Sequence, residues 1–187
     1  MQQTTKMSAN DIRSLISPEY VDIVFNFLTD YTETVRHELM DECLKFLWIC
    51  SSINKKAFVP VSQDVDNVWH AFILQTRLYP GLCSILPGKD FIHHQSGSFH
   101  DYMSATSGQL MAEELVFWLT EYHRLFGDFT AESAKHWVIV NFLMQGEGLS
   151  LADVNTLAAG GEVSVSLTDT EAPANAKQTS VLSHGDC

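Results

Sequence analysis

Two pairs of residues in the middle of the chain have the types and spacing to hold a metal ion. Asp66 and His70 are four apart, so on a helix they project from one face, about one turn apart. His93 and His94 follow the apolar pair Phe91-Ile92 after a glycine turn, and a loop held by that pair supplies a third ligand. His100, with Asp101 beside it, supplies a fourth ligand or an outer hydrogen-bond partner. Imidazole with carboxylate suits zinc, iron or another first-row ion. The same residues also allow an arrangement without metal. There, Asp66 hydrogen-bonds His93 or His94 directly and clamps the loop to the helix, and His70 is a core histidine. His37, His123 and His136 fall on helices among charged neighbours and read as solvated.

Catalytic signatures are few. The chain has no Gly-x-Ser-x-Gly elbow, no Walker loop and no Gly-x-Gly-x-x-Gly. Cys83 with His93 would be the nucleophile and base of a thiol mechanism; the alternative is that Cys83 is a buried structural thiol. Cys43, Cys50, Cys83 and Cys187 form no Cys-x-x-Cys pair, which fits free thiols in a reducing compartment.

The elements that must position these residues are helical. Ser17-Pro18-Glu19 starts a helix carrying Val21, Val24, Phe25 and Leu28. A second is expected from about Thr32 to Ile53, with Val35, Leu39, Cys43, Phe46, Leu47 and Cys50 inward. Pro60 breaks the pattern and biases Val59 to extended backbone. Ser62 caps a third helix, with Asp64 and Asp66 in its first turns, which is expected to end near Tyr79-Pro80-Gly81. The stretch from Cys83 to Ser107 reads as an irregular loop. A fourth helix covers about Gln109 to Phe126 and stops at Gly127, and Thr130 caps a fifth from Ala131 to Met144. The fold class is therefore all-α: an irregular bundle of about five helices with a long His-containing loop.

All twenty aromatic residues precede position 146, and the segment from Gly146 to Cys187 carries one basic residue, Lys177, against six acidic ones. That composition predicts a domain over residues 1–145 and a flexible, disordered tail over 146–187. The net charge of −12 argues against tracking nucleic-acid phosphates or binding an anionic membrane surface. No apolar run reaches the roughly 18–20 residues that span a bilayer, and Met1 to Asn10 lacks the apolar core of a secretory signal. A cytoplasmic protein is expected.

At the histidine constellation the sequence resembles the glycine-rich domain-containing protein-like family. Val65-Asp66-Asn67-Val68-Trp69-His70-Ala71-Phe72-Ile73-Leu74-Gln75-Thr76 looks like that family's Val-Asp-x-x-Trp-His-x-x-Ile-Leu-x-Thr helix. The likeness continues through Tyr79, Cys83, Gly88 and Phe91-Ile92-His93-His94. It extends over about residues 40–140 and implies a domain with no settled catalytic activity.

A second resemblance lies in the tail. Leu149-Ser150-Leu151-Ala152-Asp153-Val154-Asn155-Thr156-Leu157-Ala158-Ala159-Gly160-Gly161 is similar to the end of a double-glycine leader peptide. It implies processing at Ala159, Gly160 and Gly161, with a tail rich in Ser and Thr in which Cys187 would close a thioether. The alternative for the same stretch is a short amphipathic helix with a glycine C-cap. The sequence therefore leads to a binding or interaction module, with zinc or iron as its candidate metal through the His/Asp cluster and a protein or a processing enzyme as its partner. A precursor of a modified peptide and a metal-dependent enzyme are the alternatives.

Overall fold

The computed structural model describes residues 6–52, 59–94 and 108–163. Helix starts follow local cap chemistry. Ser17, Thr32 and Ser62 each accept the backbone N–H three residues on, from Tyr20, Val35 and Val65. This satisfies one of the donors left free at a helix N-terminus. These caps open α2 (Pro18–Phe27), α3 (Glu33–Ser51) and α4 (Gln63–Leu74), after a short α1 (Ala9–Arg13) held by a Ser8–Asp11 capping box. Then come α5 (Tyr79–Ile85), α6 (Gly108–Phe126), α7 (Ala131–Ala134), α8 (Val138–Asn141), a π-helical turn (Phe142–Gly146) and α9 (Leu151–Ala158). The all-α reading holds; among the described residues the only β pairing is one isolated bridge, Val61 to Trp137.

Helix α3 is the central element. Leu39, Met40, Cys43, Leu44, Phe46, Leu47 and Ile49 are all at most 1% exposed, and the helix packs against α1, α4, α6 and α7. Phe46 stands 5.2 Å from the Trp69 ring of α4 and 5.8 Å from Trp118 of α6, and Trp118 stands 6.2 Å from Trp137. Each such aromatic pair adds about 0.5–1.5 kcal/mol beyond the area it buries. One charged pair enters this core. The Glu42 carboxylate accepts from the Trp137 indole at 2.8 Å and from Lys45 Nζ at 2.7 Å, and Lys45 also donates to the Tyr122 hydroxyl at 3.0 Å.

Three boundaries differ from the sequence expectation. The helix opened by Ser62 stops at Leu74, because Gln75 leaves helical geometry at φ −85°, ψ 65°. Tyr79-Pro80 begins a new helix instead of ending the old one. Pro80 sits in the first turn, where a missing N–H costs nothing, so the first part of the expected irregular stretch, Cys83 to Ile85, is helical. The single helix expected from Ala131 to Met144 is broken. Trp137 is extended (φ −114°, ψ 109°), and its neighbours pair with the chain just before α4: Ser62 N–H donates to His136 O and Val138 N–H to Pro60 O, both at 2.8 Å. That joint fixes the entry of α4, the helix that carries Asp66 and His70.

The third difference lies past residue 145, where a tail is expected and a packed helix is found. In α9, Val154 is fully buried and Ala158 is 3% exposed. The Asn155 side chain accepts from Phe129 N–H at 2.8 Å and donates to Phe129 O at 3.0 Å. Small apolar residues suffice here because α6 supplies the facing surface. Ala159, Gly160 and Gly161 close this helix. Gly160 takes φ +81°, its N–H donates to Leu157 O and that of Gly161 to Thr156 O, which is the paired C-terminal closure that glycine favours. Residues 164–187, with Cys187 and most of the expected tail, lie outside the described residues. Among the described residues no helix is long and apolar enough to cross a membrane.

Candidate metal centre

The spacing of Asp66 and His70 on α4 does bring them together, with His70 Nδ1 3.6 Å from Asp66 Oδ2. His94 arrives from the loop after α5. Its Nε2 lies 3.0 Å from Asp66 Oδ1, and its ring centroid is 4.3 Å from that of His70. One donor atom from each of these three residues lies within 4.8 Å of the other two. Donor atoms of a tetrahedral zinc, each about 2.1 Å from the ion, stand about 3.4 Å apart. The two Asp–His separations lie on either side of that value, one on each carboxylate oxygen, and the set as a whole lies within 4.8 Å, so gathering it around an ion moves the donors by up to about 1.4 Å.

The loop is held by a relay that sequence reasoning missed. Trp69 Nε1 donates to the Tyr79 hydroxyl at 2.9 Å, and that hydroxyl donates to Ile92 O at 2.8 Å. The Trp69 ring also lies 4.5 Å from the His94 ring. Burial pushes the Tyr79 phenol well above its ordinary range, so it stays protonated and able to donate. The signal in the sequence was the polar tip on each of two aromatic residues. A buried Trp or Tyr must find a partner for that tip. At the other end of the loop Gly88 lies against the last turn of α3. A Cβ built there would stand 1.7 Å from Ser51 O.

Burial alternates along the loop, and this separates the two adjacent histidines. Ile92 is 9% exposed, Phe91 is 48% exposed, and the His94 side chain is 13% exposed. His93 is exposed, with its ring 4.8 Å from that of Phe91. It turns away from Asp66 and is not among the converging donors. His100 lies outside the described residues.

Among the described residues, His37, His123 and His136 are partly buried beside charged groups, where solvated side chains were expected. His37 Nδ1 is 3.0 Å from an Arg13 guanidinium nitrogen, His123 Nδ1 is 3.0 Å from Asp128, and His136 Nε2 is 4.0 Å from Glu38. Cys43 and Cys50 have the opposite of nucleophilic character. Burial raises Cys43 well above the ordinary thiol range and pushes Cys50 up to about 11. Cys83 is 2% exposed, so the exposed His93 has no matching accessible thiol there.

The family model described as UCP032817-like matches residues 17–111 of the 187. The chain belongs to the UCP032817-like family. This overturns the resemblance to the glycine-rich domain-containing protein-like family. The segments that suggested it, Val65 to Thr76 and Phe91 to His94, lie inside the UCP032817-like match. Short Trp-His and His-His elements record what a helix and a loop need in order to hold one another, and they do not fix a family by themselves. The matched span runs from the cap of α2 into the start of α6 and includes Asp66, His70, Tyr79 and His94. UCP032817-like is an uncharacterised family. No curated protein and no solved structure matches the chain.

Proposed function

We propose that this UCP032817-like chain is a binding module that holds one divalent first-row transition metal through Asp66, His70 and His94. Zinc leads, with iron as the competitor. The observation that carries this reading is the convergence of three donor atoms within 4.8 Å from residues as far as 28 positions apart. Two neutral imidazoles and one carboxylate form a donor set that both ions accept. Trp69 and Tyr79 support the reading, because outer hydrogen bonds and packing that orient ligands strengthen metal binding.

Elemental analysis of tag-free full-length protein tests it. One zinc or iron per chain is expected, lost in His70→Ala and in His94→Ala and kept in His93→Ala. Folded wild-type protein without stoichiometric metal, even after exposure to zinc and to ferrous iron, would end the metal reading. Asp66 and His94 would then be a structural clamp.

A further inference from the structure

We infer that an ion held by Asp66, His70 and His94 keeps a coordination position facing solvent on its His70 side, and that a small carboxylate anion binds there. This rests on the metal reading above and goes beyond it, because it assigns the ligand that the centre takes from solution.

The donor count comes first. Among the described residues three donors converge, whereas zinc takes four ligands and iron commonly six. The centre is also lopsided in its exposure. The His70 side chain is 43% exposed, against 15% for Asp66 and 13% for His94. Trp69, 2% exposed, lies against the His94 ring, so protein packs that side and His70 marks the side open to water.

Charge then selects the ligand. A divalent ion with one carboxylate and two neutral imidazoles carries a net charge of about +1, which a monoanion neutralises. The chain's net charge of −12 opposes anions at long range, but salt screens that field beyond about 8–10 Å. Direct coordination acts well inside this distance. A carboxylate also matches the rim at a second point. The exposed Gln63 side chain places its amide nitrogen 3.4 Å from Asp66 Oδ2 and 3.1 Å from Asn67 Oδ1. One oxygen of the anion replaces water on the metal, and the other takes over the Gln63 amide N–H that otherwise goes to Asn67 Oδ1.

The test uses the full chain loaded with Co(II), whose visible ligand-field spectrum reports its coordination. Titration with sodium acetate at constant ionic strength should give a saturable spectral shift with one anion per cobalt. Nitrate at the same ionic strength should give none. Gln63→Ala should keep its cobalt and bind acetate about fivefold more weakly, the effect of one lost hydrogen bond. One equivalent of bound cobalt with a spectrum indifferent to acetate would overturn this inference and leave the metal reading standing. Failure to take up cobalt, zinc or iron would overturn both.

Discussion

His94 Nε2 and Asp66 Oδ1 stand 3.0 Å apart although 28 residues separate them in the chain. A carboxylate only accepts, so the imidazole nitrogen carries the proton in this bond. The pair joins α4 to the loop after α5, and losing His94 leaves the part-buried Asp66 carboxylate with only the longer contacts to His70 and Gln63, at 3.6 and 3.4 Å. His94→Ala should therefore lower thermal stability by about 1.5–3 kcal/mol, while His93→Ala stays within about 0.5 kcal/mol of wild type. Thermal unfolding of the two metal-free variants, side by side, checks this, and equal losses would contradict the assignment of His94 over His93.

Tyr79→Phe removes one oxygen and leaves two buried groups unpaired, Trp69 Nε1 and Ile92 O. A cost of about 1–3 kcal/mol is expected for the orphaned groups. Zinc affinity should fall about 10–100-fold, the usual consequence of losing an outer hydrogen bond that orients a ligand. Competition with a chromogenic chelator measures the second effect. Unchanged zinc affinity in a folded variant would show that the relay supports the fold and not the centre.

Glu42 carries the buried cluster at the α3–α6–Trp137 junction. Glu42→Ala strands Lys45, whose side chain is 16% exposed, and leaves the Trp137 indole without its acceptor. About 3–5 kcal/mol of destabilisation is expected, readable as a shift in the urea midpoint. A Glu42→Met/Lys45→Met double variant should recover much of that loss, because neither charge is then buried alone.

Alkaline pH should unfold the protein early. Burial holds Cys43, Cys50, Tyr20, Tyr79 and Tyr122 above their ordinary values. For Lys45, burial pulls downward but Glu42 and Tyr122 together outweigh it, so its net direction is also up. In every case the folded chain holds its proton more tightly than the unfolded chain. The associated stability is complete below the unfolded values, which begin at 9.0 for the thiols, and is lost as pH rises toward folded values such as about 11 for Cys50. Each group contributes at most about 1.4 kcal/mol per pH unit. The melting temperature should fall from about pH 9 upward, and Cys50→Ala should lessen the fall between pH 9.0 and 11. A flat profile to pH 11 would contradict it.

Chain length gives a further check. Cutting after residue 145 removes the buried Leu149, takes α9 with Val154 and Ala158 from the surface of α6, and takes the Asn155 side chain from Phe129. Residues 1–145 should be less stable than residues 1–163 by about 3 kcal/mol or more, given the apolar area exposed. Equal urea midpoints would show that α9 adds nothing to the fold.

What the sequence revealed divides by range. The caps at Ser17, Thr32 and Ser62 were legible because cap chemistry is complete within four residues. The Asp66–His70 pair was legible for the same reason. The break at Trp137 was not, because it depends on Pro60 and Val61, more than seventy residues earlier. Choosing between His93 and His94 required the direction of the loop, which the Tyr79 hydroxyl sets through Ile92. The helix at Leu151, with its glycine C-cap, was legible as one of two readings of that stretch; its packing against α6 was hidden by the absence of aromatic residues.

Gly88 turns this geometry into a rule of substitution. Gly81 has open space where a side chain would go, so alanine is sterically free there. At position 88 even a methyl group would collide with the Ser51 carbonyl. Backbone cannot rotate aside as a flexible side chain can, so any replacement must lift the loop from the end of α3. Mutational libraries built on this scaffold should tolerate variation at 81 and return only glycine at 88, and a chain that escapes this rule will have rebuilt the path that delivers His94.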